Sequence, residues 1–421
     1  MTQMQRPIVY DATHLVSRGR AIGAAGIGGV DLSYARHFAA HERFACGVHY
    51  GYPRPHVFSR ERVAALLAEI APAEDAEDGW PALREWLLGN EETPIAPRAA
   101  ARGSRFGDLW RQTRRRLAND EPHVVPPSAI YLNIAQHACE FPLLFDWLAR
   151  RPDVRSVFFV HDLLPLDRPE FFRPGYERLF RRRLDTILRH ACALITTTHV
   201  VAERLRREFS ARDTRPPPIH VQPLASSLGL ADAADDHDDA LAESAYCVAV
   251  STLEPRKNHL LLLNVWRALA ASGAPCPKLA LVGGQGWENE QTLDMLRRCD
   301  ALRRHVRHVH GLSPQSLRRL VANADALLMP SFAEGYGLPV VEALSLHTPA
   351  IVSDIPVFRE VAQGRAVYLS PIDGKGWKEA ILAVADRRGP RRLAAVAAAR
   401  TFVPPRAASY FAGIEAFLDS L

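Results

Sequence analysis

Short apolar runs rich in β-branched and aromatic residues recur along the chain, separated by stretches with helical hydrophobic spacing. In the first half they fall at Ile8–Tyr10, Phe44–Tyr50, Ile130–Ile134, Ser156–His161, Leu194–Thr198 and Ile219–Pro223. In the second half they fall at Tyr246–Ser251, Lys278–Val282, Val306–His310, Ala326–Pro330, Ala350–Ser353 and Val367–Leu369. Between them, Leu260–Leu269 carries apolar residues at helical spacing, and Ser313–Ala322 opens with a capping Ser and Pro314 at its first position. Strands alternating with amphipathic helices predict an α/β fold, with parallel sheets covered by helices on both faces.

At 421 residues the chain exceeds one ordinary core, and two domains are expected. The segment Ser226–Ser244 keeps no hydrophobic period and is rich in Ala and Asp, so it reads as an exposed linker. Its Asp236-His237-Asp238 triplet has the form of a metal-holding Asp-x-Asp. No strand leads into it, and it reads as a solvated charge run. The expected division is residues 1–225, a linker at 226–244, a second domain at 245–402 and a terminal helix at 403–421.

Composition changes this picture little. A 48% hydrophobic and 24% charged chain is that of a globular protein, and no apolar run is long enough to span a bilayer. Met1–Arg6 followed by Pro-Ile-Val-Tyr lacks the apolar stretch of a signal peptide, which predicts a cytoplasmic protein. Six scattered cysteines show no metal-ligand spacing and read as small buried or incidental thiols. The net charge of +5 suits a phosphate-bearing ligand or an anionic surface. Neither zinc-finger spacing nor an aromatic-basic ribonucleoprotein motif is present, so nucleic acid is not expected. Two stretches, Arg105–Leu117 and Arg173–Arg183, interleave arginines with apolar and aromatic residues. Each reads either as peripheral contact with an anionic membrane or as an amphipathic helix with arginine on its wet face.

The most informative segment is Ala326–Leu346, where an apolar strand ends in a polar turn and Glu334-Gly-Tyr-Gly-Leu-Pro339 leads into a helix. Gly335 and Gly337 permit backbone angles and close approaches that side chains would block. A turn followed by a helix start offers unpaired backbone N–H groups and a positive dipole end, which suit a diphosphate. Glu334 on the loop can accept hydrogen bonds from sugar hydroxyls. Glu342, expected in the first turn of a helix starting near Pro339, can grip a ribose diol.

These residues resemble the signature of the retaining GT-B glycosyltransferases called family 4. Further segments agree over roughly 245–372: Val250–His259 with Glu254-Pro-Arg-Lys-Asn258, Leu281–Gly286 with Gly283, Val309–Leu312, and Ala324–Ser331. The resemblance implies two Rossmann-like domains with parallel sheets facing across a cleft, the first taking the acceptor and the second the nucleotide sugar, and a last helix crossing back to the first domain. It implies donor contacts from Gly283, Gly335, Tyr336, Gly337, Leu338 and Glu342. Arg256 and Lys257 would stabilise the charge gained by a departing nucleoside diphosphate. Ser251 stands where many relatives carry arginine. In the first domain, Gly26-Ile-Gly-Gly-Val30 with Gly28 and Gly29 resembles the family's glycine loop, and His161 the family's histidine near the reacting sugar. Asp162 either orients that imidazole or caps the next turn.

Leu163–Phe172 is similar to a bacterial subgroup of surface-polysaccharide mannosyltransferases. The resemblance therefore implies transfer of a hexose, mannose from GDP-mannose first and a UDP-hexose second, to a lipid-linked or polysaccharide acceptor. It implies neither metal nor cofactor. The alternative of another class is a catalytically silent scaffold that binds nucleotide or a partner protein.

Overall fold

The structure is a computed structural model that describes residues 5–19, 26–50, 55–70, 79–90, 124–225, 238–273 and 275–421. The chain forms two compact units. Unit 1 comprises Met1–Glu74, Ala99–Gln222 and Ala408–Leu421, and unit 2 comprises Asp75–Arg98 and Pro223–Ala407. Among the described residues no helix is long and apolar enough to cross a membrane. The stretch Arg105–Leu117 lies outside the described residues.

In unit 1 the strands are β1 (Ile8–Asp11), β2 (Phe44–Tyr50), β3 (Pro55–Phe58), β4 (Ile130–Asn133), β5 (Arg155–Val160), β6 (Ala193–Thr196) and β7 (Ile219–Val221). They form one sheet ordered β3-β2-β1-β4-β5-β6-β7. All neighbours run parallel except β2 and β3, whose antiparallel pairing sets His49 opposite His56. β3 carries no sequence signal: it is a four-residue edge strand headed by Pro55, where a missing N–H costs nothing if it faces away from the ladder.

Unit 2 holds β8 (Tyr246–Val250), β9 (Lys278–Val282), β10 (Val306–Val309), β11 (Ala326–Met329), β12 (Ala350–Ser353) and β13 (Val367–Leu369). Its all-parallel sheet is ordered β10-β9-β8-β11-β12-β13. Central strands such as Ala326–Met329 are buried along their whole length, as expected where helices cover both faces. In each sheet the strand order reverses at one place, between β1 and β4 and between β8 and β11. Open α/β sheets bind ligands outside the carboxyl ends of strands at such a reversal.

Two parts of the expected domain division differ in the structure. Helix Trp80–Leu88, expected in the first domain, clusters with unit 2. Its Arg84 grips Asp238 through two nitrogens at 2.7 and 3.1 Å, and Lys278 sits 5.1 Å over the Trp86 ring. Part of the expected linker is a short helix, Asp239–Glu243, capped by Asp238, which accepts from the Leu241 amide at 3.2 Å. Asp238 reads as solvated in the sequence because its arginine partner lies 154 residues earlier.

Helix Ala407–Asp419 finds its partners in unit 1. The Tyr410 and Tyr34 hydroxyls are 2.8 Å apart, Phe411 stacks on His37 at 3.9 Å, and Glu415 lies 2.6 Å from His37 Nε2. All six cysteines are free, with Cys46, Cys139 and Cys247 buried.

Candidate active site

At the reversal point of unit 2, the loop after β8 meets the loop after β11. Two hydrogen bonds hold them together, and a third ties the first loop to the segment after β13. The Phe332 amide donates to Arg256 O at 2.8 Å, while Asn258 Nδ2 donates to Pro330 O and Pro371 O at 3.1 and 2.7 Å. Asn258 adopts φ +58°, a left-handed conformation that Asn tolerates better than most residues, and it starts helix His259–Ala271.

This pinning brings four charged side chains into one buried cluster. Glu334 accepts from Arg256 Nη1 at 2.9 Å, from Lys257 Nζ at 2.6 Å and from Ser331 Oγ at 2.7 Å. Glu254 takes the other arm of the guanidinium, 2.6 Å from Arg256 Nη2. Two cations and two carboxylates balance to zero formal charge. Burial alone would raise the Glu334 carboxyl, but the charges of Lys257 and Arg256 and the Lys257 and Ser331 hydrogen bonds outweigh it and hold it at about 2. Glu254 goes the other way, raised by burial that Arg256 only partly offsets. Burial lowers Lys257 against the pull of Glu334.

Eight residues beyond Glu334, the second carboxylate has a contrasting setting. Helix Leu338–Ser345 begins on Gly337, at φ +100°, and its first turn holds no acid. Glu342 therefore sits in the second turn and not, as the sequence suggested, in the first, because the helix starts one residue earlier than Pro339. It is 9% exposed, and burial alone raises its carboxyl to about 7. Among the described residues no ion pair compensates it.

The remaining residues expected at this site play mixed parts. A Cβ at Gly337 would stand 2.6 Å from the Phe358 ring, so glycine is required there by both angle and space. Gly283, at φ +152°, lets the turn after β9 press against the Ser251 carbonyl. Its own carbonyl accepts from His308 Nε2 at 2.7 Å. Tyr336 is buried, and its hydroxyl donates to Leu224 O at 2.9 Å, so its phenol also braces the loop. Gly335 lies half-buried in the loop, and Leu338 opens the helix.

Several partners here were missed by sequence reasoning. Glu254 stands inside the Glu-Pro-Arg-Lys-Asn motif, and Ser331 three residues before Glu334. Ser251 Oγ lies 3.0 Å from Nε2 of the buried His259, whose charged form is disfavoured first by burial and then by Lys257 and His308, down to about 3.

In unit 1, His161 follows β5 directly. It is 8% exposed, stands 2.9 Å from Ile134 O through Nε2, and is held by burial at about 4, a neutral imidazole at physiological pH. The carbonyl partner makes Nε2 the protonated nitrogen. Asp162 caps the next turn, accepting from the Leu164 amide at 3.0 Å. Gly28 and Gly29 do not form a loop: they lie in the first turn of helix Gly26–Ala40, and the left-handed angle falls on Gly26 at φ +65°. A first turn has no intrahelical partners for its N–H groups, so glycines can open a helix without losing a bond. The basic stretch Arg173–Arg183 enters helix Tyr176–His190, which buries Phe180, Leu184 and Ile187. Arg181 pairs with Glu208 at 2.6 Å and Arg183 with Glu140 at 3.3 Å, while Arg178 and Arg182 face outward.

Residues 235–400 match the family model of glycosyl transferases group 1. The serotype-specific mannosyltransferase WbdA of Escherichia coli is 31% identical over 265 residues, covering 60% of this chain and 32% of WbdA. The O-antigen chain mannosyltransferase RfbU of Salmonella typhimurium is 29% identical over 226 residues, covering 53% of this chain and 58% of RfbU. The chain thus spans about a third of the first relative and little more than half of the second. Anabaena HepE, solved with UDP, superposes with a TM-score of 0.58 at 16% identity, over 99% of this chain and 100% of that one. Sucrose-phosphate synthase from Thermosynechococcus elongatus gives 0.58 at 14% identity, over 99% of both. The fold is that of the GT-B glycosyltransferases, two parallel-sheet α/β units, and the second unit carries the match to the glycosyl transferases group 1 model over residues 235–400.

Proposed function

We propose that the chain is a retaining glycosyltransferase that takes a hexose from a nucleotide sugar, mannose from GDP-mannose first, and transfers it to a glycan acceptor in surface-polysaccharide synthesis. The observation that carries this reading is the Glu254–Arg256–Glu334–Lys257 cluster at the reversal point of the unit 2 sheet, beside the start of helix Leu338–Ser345.

In this reading the diphosphate enters between the cluster and the helix start. Arg256 and Lys257 are held by carboxylates rather than by water, so they are oriented before the negative charge of the leaving group develops. Glu334 orients both cations and offers its carboxylate edge to sugar hydroxyls, and Glu342 accepts from the ribose diol. His161 supplies a neutral imidazole near the sugar. The positive charge comes from these side chains and the helix dipole, and the proposed reaction uses no metal. The leaving phosphate itself receives the acceptor's proton on the same face of the sugar, which is how retention arises without an enzymic nucleophile. The mannosyltransferase relatives support the choice of sugar. A lipid-linked acceptor, and peripheral contact with an anionic leaflet through Arg178 and Arg182, belong to the same proposal.

The test is nucleotide release from a panel of GDP- and UDP-sugars, by the parent protein and by Glu334→Ala. Release from GDP-mannose that the substitution abolishes is the expected result. Preference for a UDP-hexose would correct the donor. Release from no nucleotide sugar would sink the enzyme reading and leave a silent nucleotide-binding scaffold.

A further inference from the structure

Two of the places where the chain passes between the units are gripped from the loop that carries Glu334. The chain leaves unit 1 at Gln222 and enters unit 2 at Pro223, and it returns at Ala407–Ala408. Just past the first crossing, Leu224 is buried, and its carbonyl accepts the hydroxyl of the buried Tyr336 at 2.9 Å. A buried carbonyl needs such a donor, and a phenylalanine at 336 would fill the same space without supplying one. The bond spans 112 positions and joins the residue between Gly335 and Gly337 to the crossing.

The second crossing is reached from Gly337. The missing side chain there lets Phe358 of helix Pro356–Val361 press against the loop, since a Cβ would stand 2.6 Å from that ring. Beyond the same helix lies a left-handed pair, Gln363 at φ +52° and Gly364 at φ +73°. Glycine is the usual residue where a helix ends at such an angle, because other side chains crowd the backbone. Glutamine stands there instead, and its amide goes to Val403. Its Nε2 donates to Val403 O at 3.0 Å, and its Oε1 accepts from the Val403 amide at 3.4 Å. Arg365 Nε adds a bond to Thr401 Oγ1 at 2.8 Å. This second grip is exposed and therefore the weaker; the Tyr336 bond is shielded from water.

The loop itself is held by the charged cluster. Glu334, two residues before Tyr336, bonds Arg256 and Lys257, so a diphosphate that draws on these cations competes with Glu334 for them and pulls on the loop. We propose that Tyr336 is a positioning residue that ties nucleotide occupancy of the Glu334–Gly337 loop to the crossing at Pro223–Leu224, while Phe358 and Gln363 carry the same signal to the crossing before Ala407. This rests on the nucleotide-sugar reading above. It goes further by making the donor loop the element that sets both connections to unit 1.

The experiment is hydrogen–deuterium exchange read by mass spectrometry on the parent, Tyr336→Phe and Gln363→Ala. The probe is whichever of GDP and UDP binds the parent, held saturating for each protein by isothermal titration. Val403 is a direct reporter, since Pro404 and Pro405 have no amide hydrogen. In the parent, bound nucleotide should slow exchange about tenfold in peptides covering 220–225 and 402–406. Tyr336→Phe should lose that nucleotide-induced difference at 220–225, and Gln363→Ala at 402–406 alone. A bond that is merely structural would raise exchange with and without nucleotide and leave the difference in place, which overturns the proposal. Crossings in the parent that ignore bound nucleotide also overturn it, as does loss at both crossings in the surface variant Gln363→Ala. A parent that binds neither nucleotide overturns the reading on which the proposal rests, and the proposal with it.

Discussion

The two sheets reverse strand order in the same way, yet their reversal points are furnished differently. In unit 2 the loops after β8 and β11 bring together two cations and two carboxylates, bonded at 2.6–2.9 Å. In unit 1 the ends of β1 and β4 hold phenols, an amide and an imidazole around two buried acids, Asp11 and Asp31. In the proposed reaction the charge-paired cluster keeps its cations oriented for a dianionic leaving group, whereas the acids of unit 1 are bound by hydroxyl, amide and imidazole groups. One architecture thus offers two chemistries, set by which side chains the loops carry.

The sharpest way to break this contrast is to remove the hub of the charged cluster. Glu334→Ala leaves Arg256 and Lys257 facing each other in a buried site. Turnover should fall by about 10²–10³-fold, and unfolding free energy by about 3–5 kcal/mol in urea denaturation. Retained activity would mean that the cluster is structural only.

The second carboxylate offers a test of opposite sign. The raised Glu342 contributes stability that is complete below its unfolded value, near 4.5, and is lost as pH rises through about 7. Between pH 4.5 and 7.5 the parent should lose about 3 kcal/mol relative to Glu342→Gln. Glu334, held at about 2, contributes in the reverse sense, present above pH 4.5 and lost as pH falls toward 2. Parallel pH–stability curves for parent and Glu342→Gln would contradict the assignment.

Glycines at the two reversal points differ as well. Gly337→Ala places a Cβ 2.6 Å from Phe358 at φ +100° and should cost about 1–3 kcal/mol, read from thermal melting. Gly28→Ala in the first turn of helix Gly26–Ala40 should be neutral or stabilising by up to about 1 kcal/mol. A loss of donor affinity in Gly28→Ala without loss of stability would restore the glycine loop as a phosphate contact.

The parallel framework was legible because buried strands such as Lys278–Val282 and Ala350–Ser353 are short apolar runs bounded by turns. What escaped was set by distant partners. Nothing in Trp80–Leu88 announces that Arg84 will meet Asp238 or that Trp86 will lie under Lys278. At the candidate site the cations and Glu334 could be read from their motifs, but their mutual pairing could not, since it joins residues 77 and 78 positions apart. Asp31 did leave a trace. It falls on the stripe formed with Tyr34, Ala35 and Phe38, at the spacing of a buried helix face, where an acid needs a dedicated partner.

The central claim is that unit 2 binds a nucleoside diphosphate through the cations oriented by Glu334. Isothermal titration of GDP and of UDP into the parent and into the Arg256→Met/Lys257→Met double variant tests it most directly. One of the two nucleotides should bind the parent and weaken by about a hundredfold in the variant. Equal binding to both proteins, or binding of neither nucleotide to the parent, would contradict it.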